Sequence, residues 1–501
     1  MQEHLRDMQS IVNWHKERGS LLVIDKEVDW KYEIAGIVKK LEGGPALLFT
    51  NIKDYPGIKI ASNIFNSRET MAEMLGIEGG IEYTGKHWVE KEKEMVLPKV
   101  VDNAPCQQNV ITGGDIDILK SMPVPLQSPL DAGRIITSGN AMVKIPQTGG
   151  FNISFQRMNP RWPNASSINV TPGKHLLDVL LPARKVEKRH VPITINIGGP
   201  PTQIIMAAGG TQSTFTPYGF DELALAGALQ GGAMEIVPAK TIEGAWSIAN
   251  ANFVLEGYVD WDESVEECED GELGKQLFMA EYHGYYGKCW RVFKFTCTGI
   301  THRNDPIYYF PLADHLEAVN ICCPYVEATV YNACKRIDPN VFDTCYVLPS
   351  MRAMQGISLR VHKQKKRDEG IQTNMMMAAL GSQVAFQWIV AVDQDIDITS
   401  ADDVMWALIF RTDMKNDLTV TSGGRIEEAS PSTAHSGMIA KACFDATVPL
   451  ENQWSFKRPN FPAVDLEKFL SKEVIKSIGN LQSDYGKMLS KNLTTLETGD
   501  E

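Results

Sequence analysis

Hydrophobic positions follow two different periods over the first hundred residues. Apolar residues recur at helical spacing in two segments, 11–17 and 32–41. Short apolar runs that are typical of strands lie between and after these segments, at 20–24, 46–50 and 58–61. Helices that alternate with strands predict a small α/β unit, which we assign to residues 1–110. The proline-containing segment 104–125 predicts a linker or an extended crossover.

Short apolar runs dominate the next part of the chain, from residue 111 to 315. We expect strands at 141–145, 192–196, 234–237, 251–255 and 291–295. Two helices interrupt them. One is predicted to begin after Thr171, which would cap it, with Pro172 in the first position, and the other contains residues 221–229. Many short strands with few helices predict a barrel or a sandwich.

Helical and strand patterns alternate again from residue 316 to 501. The predicted helices are 324–336 and the methionine-rich 373–385, and the predicted strands are 343–348, 357–361 and 388–392. This order predicts a parallel or mixed α/β sheet. A long helix with a polar face is predicted over 464–489, and it finds little of its own chain to pack on. It either docks on a partner subunit or stays solvated.

Composition and charge narrow the function of this 501-residue chain. A content of 43% hydrophobic and 22% charged residues is ordinary for a globular protein of two or three domains. The net charge of -13 argues against nucleic acid and anionic lipid as partners. No apolar run is long enough for a bilayer, and no signal peptide is expected. The 9 cysteines lack paired spacing, so we expect free thiols in the cytoplasm.

Five polar residues form the most informative set in the chain: Asn152, Arg157, His175, Glu222 and Glu281. An amide, an imidazole and a carboxylate together suit a hard divalent metal such as Mn²⁺ or Mg²⁺. An arginine binds a carboxylate or a phosphate, and a second glutamate can transfer a proton. Each residue alone has an ordinary alternative: a surface arginine, a structural histidine, a glutamate that offsets a helix dipole, or an exposed loop glutamate.

Spacing constrains two members of this set. Asn152 and Arg157 are five residues apart, so a regular strand would put them on opposite faces. A bulge or a strand end must therefore re-aim one of them if both serve one site. His175 is expected at a helix N-terminus, where a neutral, ligating imidazole is favoured. Generic dinucleotide, P-loop, zinc-protease and nucleophile-elbow motifs are absent from the sequence.

Several segments together resemble the UbiD family of decarboxylases, which use prenylated FMN. These segments are 27–30, 51–57, 104–106, 123–125, 219–229 and 392–411, and together they extend over nearly the whole chain. The spacing of the five polar residues adds to the resemblance. The resemblance implies a mixed α/β fold of three domains. These are an N-terminal α/β domain (1–110), a flavin-binding split β-barrel (111–315), and a C-terminal α/β oligomerisation domain (316–501) that includes the long terminal helix.

The resemblance also implies roles for individual residues. Asn152, His175 and Glu222 would bind Mn²⁺ or Mg²⁺ at the cofactor phosphate, with K⁺ nearby. Arg157 would hold the substrate carboxylate, and Glu281 would return a proton after CO₂ is lost. Further cofactor contacts would come from Ser154, Phe155, Gln156, Lys174 and Pro217. The implied partners are a small carboxylic acid, a flavin prenyltransferase that supplies the cofactor, and further copies of the chain in a homodimer or dimer-based oligomer.

One loop departs from the family pattern. Members that act on acrylic-type acids have Glu-Gly-Pro-Phe-Gly-Glu, whereas this chain has Gln276-Leu-Phe-Met-Ala-Glu281. Gln276 therefore takes the catalytic position of the first glutamate in a glutamate–arginine–glutamate network, and Glu272 could replace it only in a longer loop. Gln276 can bond to Arg157 but cannot offset its charge. We expect an incomplete network, a more cationic Arg157, and an aromatic acid as substrate, with decarboxylation or carboxylation as the reaction.

Three hypotheses follow. The chain is an active, non-oxidative decarboxylase of an aromatic or α,β-unsaturated acid, or a catalytic-like or structural subunit of a multi-subunit aromatic carboxylase, or a metal-dependent enzyme without flavin. The glutamine at position 276 favours the second hypothesis slightly, and the intact arginine and metal set disfavours it. Bound prenylated flavin with turnover by the isolated chain is expected from the first hypothesis, and activity with Mn²⁺ alone from the third.

Overall fold

The N-terminal part has the predicted alternation of helices and strands. The computed structural model describes residues 2–171, 173–185, 190–209, 213–269, 272–426, 431, 437–459, 461, 464–483 and 486. The first elements are α1 (Met8–Glu17), β1 (Leu21–Ile24), α2 (Glu33–Lys40), β2 (Ala46–Phe49), β3 (Lys59–Ser62), α3 (Arg68–Leu75), α4 (Thr84–Glu92) and β4 (Lys99–Val100). Each predicted helix and strand of this part is confirmed.

The central part consists mainly of strands, as predicted. Its elements are β5 (Asn109–Thr112), α5 (Ile118–Ser121), β6 (Asn140–Lys144), β7 (Phe151–Phe155), β8 (Met158–Trp162), β9 (Ala165–Ile168), α6 (His175–Lys185), β10 (His190–Ile197), α7 (Pro201–Ala207), α8 (Glu222–Gln230), β11 (Glu235–Pro238), β12 (Trp246–Ile248), β13 (Phe253–Glu266), β14 (Leu277–Ala280), β15 (Tyr286–Lys288), β16 (Arg291–His302) and β17 (Ile307–Tyr309).

One eight-stranded sheet forms the frame of this central part. Its order is β7-β6-β10-β13-β16-β9-β8, and β5 pairs with β16. The pairs that join β6, β10, β13, β16 and β9 are antiparallel. β10 is rich in β-branched residues and mostly buried, which suits a strand in the middle of a covered sheet. Within the described residues the sheet does not close into a complete barrel, because no pairing joins β7 to β8.

The C-terminal part contains a five-stranded mixed sheet, which confirms the predicted α/β arrangement. Its order is β18-β19-β20-β22-β21, with β19, β20 and β22 parallel and the two edge strands antiparallel. The elements are α9 (Leu316–Lys335), β18 (Phe342–Tyr346), β19 (Gly356–Val361), α10 (Ile371–Ser382), β20 (Trp388–Asp393), α11 (Ala401–Arg411), β21 (Leu418–Arg425), β22 (Met438–Ala446) and α12 (Lys472–Leu481).

Strand pairing crosses the predicted domain boundaries. β17 pairs in parallel with β3 and completes the sheet β1-β2-β3-β17, while β4 joins β11 and β12 in a three-stranded sheet. A buried ion pair connects α3 to α9, with Arg68 Nη2 2.5 Å from Glu327 Oε2. The N-terminal part therefore packs against both later parts of the chain. The boundaries at residues 110 and 315 stay a prediction.

The predicted start of α6 is wrong. The helix begins at His175 rather than directly after Thr171, so Thr171 does not cap it. Gly173 has a φ of 91°, which no right-handed helix contains, and the Lys174 N–H donates to the Thr171 carbonyl in a turn at 3.4 Å. Pro172 lies outside the described residues. The later start places His175 itself at the helix N-terminus, as its predicted role required.

Two C-terminal helices also differ from prediction. α9 begins at Leu316 and continues through Pro324, which the pattern had suggested as a helix start. The single long helix over 464–489 is wrong in its described portion, where a short 3₁₀ turn precedes α12. Ser471 separates the two, because its side chain accepts a hydrogen bond from the Val474 N–H and caps a new helix. Residues 484–485 and 487–489 lie outside the described residues.

Two findings concern the whole described chain. Across the ranges that the structure describes, no helix combines the length and the apolar character needed to cross a membrane. Cysteine side chains are mostly buried in the core, and none is joined by a disulfide. Burial raises the pKa of several of these thiols, among them Cys106 and Cys323, to about 12, so they stay protonated and packed as small apolar groups.

Candidate active site

A cavity of about 1200 Å³ opens between the central sheet and the C-terminal sheet. Its walls come from the β7–β8 connection, the loop before α6, the β14–β15 hairpin, the first turns of α9 and the β21–β22 hairpin. The predicted site residues that line it are Phe155, Gln156, Arg157, Lys174 and Glu281. Five of the eleven predicted catalytic and cofactor-binding residues therefore meet at this cavity.

Arg157 lies in the short connection between β7 and β8. β7 ends at Phe155 and β8 begins at Met158, so Arg157 is released from the strand alternation that governs Asn152. The five-residue spacing of Asn152 and Arg157 predicted a strand end or a bulge between them if both serve one site. The structure has a strand end there, at Phe155. Asn152 bonds to Glu222 at the start of α8, whereas Arg157 lines the cavity.

The Arg157 guanidinium is held by two carboxylates. Its Nε and Nη2 donate to the two oxygens of Glu267, each at 2.9 Å, and Nη1 donates to Glu281 Oε1 at 2.6 Å. Nη2 also donates to the Lys288 carbonyl at 3.1 Å. The predicted incomplete network is therefore wrong. Glu267, directly after β13, supplies the second carboxylate, which the family pattern had placed at position 276.

The two glutamates have different environments. Glu267 is fully buried, and it accepts bonds from Asn169 Nδ2 at 3.1 Å and the Trp290 N–H at 2.9 Å in addition to those from Arg157. Glu281 follows the end of β14, and its side chain keeps 20% of its exposure at the cavity. Glu267 is thus a fixed carboxylate, while Glu281 is reachable by a bound molecule.

Charge balance at Arg157 differs from the expectation. Burial opposes the guanidinium charge, but Glu281 and Glu267 outweigh this effect and raise the pKa of Arg157 above its ordinary value. One arginine against two carboxylates leaves the cluster anionic when both are ionised, so the expected surplus of positive charge is wrong. Among the described residues, one of the two Nη1 N–H groups remains without an acceptor. Arg157 therefore offers a single donor to the cavity.

Two further side-chain positions shape this cluster. A Cβ atom at Gly287 would lie 2.9 Å from Glu281 Oε1 and 3.1 Å from Arg157 Nη1, so only glycine lets the ion pair approach this backbone. The Phe278 ring lies beneath the guanidinium, 4.6 Å from Cζ of Arg157. Sequence reasoning missed Glu267, Asn169 and Gly287, and no local motif marks any of them.

Gln276 does not take part in the hydrogen bonds that hold Arg157 in the described part of the chain. Its N–H donates to the Glu272 carbonyl and its carbonyl accepts from the Cys289 N–H, each at 3.0 Å, at the base of the β14–β15 hairpin. Within the described residues, no hydrogen bond joins Gln276 to Arg157. Glu272 is exposed and pairs with Lys275 at 2.6 Å. Neither residue takes the place that the sequence suggested.

The three predicted metal ligands lie together where β7 meets the starts of two helices. Asn152 is on β7, His175 is the first residue of α6, and Glu222 is the first residue of α8. Asp221 caps α8 by accepting from the Ala224 N–H at 3.1 Å, which fixes the start of the helix. Asn152 Nδ2 donates to Glu222 Oε2 at 3.0 Å, and His175 Nδ1 is 3.6 Å from Glu222 Oε1. All three are buried.

This trio has the chemistry of a divalent metal site. Asn152 Oδ1 is buried and has no hydrogen-bond partner among the described residues. Burial raises the pKa of Glu222, although hydrogen bonds from the His175 side chain and the Ile153 N–H oppose this rise. A bound cation would offset the cost of burying the Glu222 charge. No group of three or more His, Cys, Asp or Glu side chains in the described ranges could hold a metal, so a site here needs the amide oxygen.

The remaining predicted cofactor contacts are distributed unevenly. Gln156 Nε2 donates to Ser154 Oγ at 2.8 Å, and both side chains are buried, with Gln156 and Phe155 at the cavity wall. Lys174 lines the cavity next to the metal trio. Pro217 lies in an exposed turn before α8 and does not line the cavity. Of the predicted cofactor residues, Phe155, Gln156, Arg157 and Lys174 thus line the cavity, whereas Asn152, Ser154, His175, Pro217 and Glu222 do not.

Comparison with known proteins assigns the family. Models described as the 3-octaprenyl-4-hydroxybenzoate carboxy-lyase N-terminal, Rift-related and C-terminal domains match residues 12–83, 99–313 and 319–446. The chain belongs to the UbiD family. It is accordingly a UbiD-type carboxy-lyase. These matches cover both the Arg157 cluster and the metal trio.

Individual UbiD relatives resemble the chain over nearly their whole length. Gallate decarboxylase of Lactiplantibacillus plantarum is 28% identical over 473 residues, which is 89% of this chain and 95% of that protein. Apo 3,4-dihydroxybenzoic acid decarboxylase from Enterobacter cloacae has a TM-score of 0.83 at 27% identity and covers 94% and 99% of the two chains. The UbiD-class enzyme HmfF from Pelotomaculum thermopropionicum in complex with FMN has a TM-score of 0.82 at 25% identity, over 93% and 100%.

Replacing Glu267 tests whether this buried carboxylate balances the charge of Arg157. We expect Glu267→Gln to lower the free energy of unfolding by about 3 kcal/mol, since breaking one side of a buried ion pair leaves charge uncompensated. Chemical denaturation measures this change. Glu272→Gln, on an exposed carboxylate of the same region, is the control and should change stability by less than about 0.5 kcal/mol. Equal effects of the two substitutions would contradict the assignment of Glu267.

Proposed function

We propose that this UbiD-family carboxy-lyase is a reversible, non-oxidative, prenylated-FMN-dependent decarboxylase of an aromatic carboxylic acid. The observation that carries this proposal is the Arg157 cluster at the cavity, with Glu267 fixed and Glu281 accessible. Relatives named for gallate and for 3,4-dihydroxybenzoic acid support an aromatic substrate. Because Glu267 completes the glutamate–arginine–glutamate network, the glutamine at position 276 no longer favours a subunit without catalysis.

The trio of Asn152, His175 and Glu222 fits the cofactor's metal. In this proposal they hold Mn²⁺ or Mg²⁺ against the phosphate, Lys174 adds a positive charge, and K⁺ binds nearby. HmfF was solved with FMN and, in an evolved dimeric form, with prenylated FMN. When bound, prenylated FMN supplies the electron sink for decarboxylation. A flavin prenyltransferase in the same cytoplasm, where buried thiols stay reduced, would supply it.

The protein's own groups bind the acid and move the proton. The remaining Nη1 N–H of Arg157 donates to the substrate carboxylate and orients it. Phe155 and Ile321, which both line the cavity, exclude water from the aromatic ring. Loss of CO₂ leaves an electron pair on the ring carbon, and Glu281 supplies the proton that this carbon gains. In carboxylation Glu281 accepts that proton, so one residue serves both directions.

A second copy of the chain is part of the proposal. α11 exposes Met405, Ile409 and Phe410, each more than half exposed, and Met414 and Val420, which follow it in the sequence, are also more than half exposed. Large contiguous apolar surfaces mark interfaces. We expect a homodimer or an oligomer built from dimers, which sedimentation equilibrium measures. Phe410→Glu should shift the chain toward the monomer, and a wild-type monomer at micromolar concentration would exclude the proposal.

Cofactor loading is the decisive experiment. The chain is co-produced with a flavin prenyltransferase and purified without air, then analysed by absorbance, mass spectrometry and metal content. We expect bound prenylated FMN, stoichiometric Mn²⁺, and CO₂ release from hydroxylated benzoates. His175→Ala should lose metal and flavin together, whereas His190→Ala, at a half-exposed site on β10, should retain both. A colourless protein that cannot be reconstituted would indicate a structural subunit, and activity with Mn²⁺ alone a flavin-independent enzyme.

Replacing Glu281 tests the proton transfer. Glu281→Gln keeps the shape of the side chain and its bond to Arg157 but cannot donate a carboxylic proton. We expect retained flavin and a loss of at least about a hundredfold in kcat, the usual scale for a general acid. Single-turnover assays of the loaded enzyme measure this loss. Glu263→Gln, at an exposed surface ion pair, is the control. Near-normal turnover of Glu281→Gln would remove Glu281 from this role.

A further inference from the structure

A chain of three polar side chains connects the turn that carries Glu281 to the C-terminal sheet. Tyr282 follows Glu281 directly and lines the cavity. Its hydroxyl accepts a hydrogen bond from Gln355 Nε2 at 2.9 Å. Gln355 Oε1 in turn accepts from Gln387 Nε2 at 2.6 Å. The contact therefore spans the cavity wall between the central and C-terminal parts of the protein.

The two glutamines are fixed by the backbone of the C-terminal sheet. Gln355 directly precedes β19 and Gln387 directly precedes β20, and these strands are parallel neighbours. The Gln355 carbonyl accepts from the Gln387 N–H at 2.8 Å and from the Trp388 N–H at 3.2 Å. The Gln387 carbonyl accepts from the Ala442 N–H of β22 at 2.9 Å. These backbone bonds fix the position of Gln355, whose side chain donates to Tyr282 at the edge of the cavity.

Hydrogen bonds within the turn define its local shape. Glu281 N–H donates to the Tyr285 carbonyl and Gly284 N–H donates to the Glu281 carbonyl, each at 2.9 Å, and Tyr285 N–H donates to His283 Nδ1 at 3.1 Å. Gly284 and Tyr285, at the outer end of the turn, are exposed. These bonds join residues of the turn to one another, whereas the bond between Tyr282 and Gln355 joins the turn to the C-terminal sheet.

We propose that Gln355 is a positioning residue for proton transfer: it holds the Tyr282 hydroxyl and thereby fixes the turn that places Glu281 against Arg157. This inference rests on the proposed function, since it assumes that Glu281 is the proton donor. It makes the reaction depend on the docking of the C-terminal sheet at the cavity. Met354, beside Gln355, lines the same cavity, so the docked sheet also closes the wall around the substrate.

Removing the donor tests the positioning role. Gln355→Met keeps the length of the side chain and deletes both bonds. We expect kcat to fall roughly tenfold to a hundredfold, the scale of a small misplacement of a reacting group, with KM changed less than about twofold. Tyr282→Phe, which deletes only the hydroxyl, should match it, and the double variant should be no worse than either single variant. Tyr285→Phe, on the exposed side of the same turn, is the control.

A conservative variant separates positioning from general damage. Gln355→Glu keeps the acceptor for Gln387 and can accept a bond from the Tyr282 hydroxyl, so it should restore most of kcat. If Gln355→Met lowers the melting temperature strongly, Tyr282→Phe decides, because it leaves every side chain of the C-terminal sheet unchanged. Unchanged kcat in Tyr282→Phe, or a loss in Gln355→Glu as large as in Gln355→Met, would overturn the inference.

Hydrogen exchange provides a readout that needs no turnover. In the full chain, Gln355→Met should speed exchange of the Glu281 and Gly284 amides, measured in peptides covering 278–288, while peptides from α9 stay unchanged. Tyr285→Phe should leave both regions as in the wild type. Unchanged exchange at Glu281 would overturn the positioning role. If the wild type releases no CO₂ but exchange responds as expected, the proposed function fails and the structural link between Gln355 and the turn stands.

Discussion

A buried guanidinium must be balanced by nearby acceptors, and this requirement at Arg157 organises the site. Its acceptors come from the end of β13, the end of β14 and the end of β15. Because an unpaired charge is costly to bury, these strand ends have to converge on the β7–β8 connection. The antiparallel sheet that joins β7 to β13, and the hairpin of β14 and β15, achieve this convergence. The cavity lies beside the point where these strand ends converge.

The two carboxylates of this cluster are placed for different tasks in the proposed reaction. Glu267 is held in place, because Asn169 and the Trp290 N–H add to the bonds that it accepts from Arg157. Glu281 keeps part of its side chain exposed at the cavity, where a bound acid could reach it. The proposal therefore assigns the support of Arg157 to Glu267 and proton transfer to Glu281.

Sequence patterns predicted the alternation of helices and strands but only half of the described strands, and the metal trio stays a prediction. Periodicity and capping are local, so β6, β10 and α8 were found, whereas Pro324 and Ser471 act through packing and capping that override the pattern. The Arg157 cluster was predicted only in part. Glu267 lies fourteen residues before Glu281 in the sequence, and only the folding of β13, β14 and β15 brings both to one arginine.

The positions of Asn152 and Arg157 bear on what a metal could do in the proposed function. The two residues are five positions apart, a span of at most roughly 16 Å between Cα atoms in fully extended chain. Their side chains bond to different neighbours, Glu222 for Asn152 and Glu267 for Arg157. In the proposal the trio would hold a cation against the phosphate of the cofactor, and Arg157 would hold the substrate carboxylate. The cofactor would then have to reach from the trio to Arg157, which an extended group such as prenylated FMN can do.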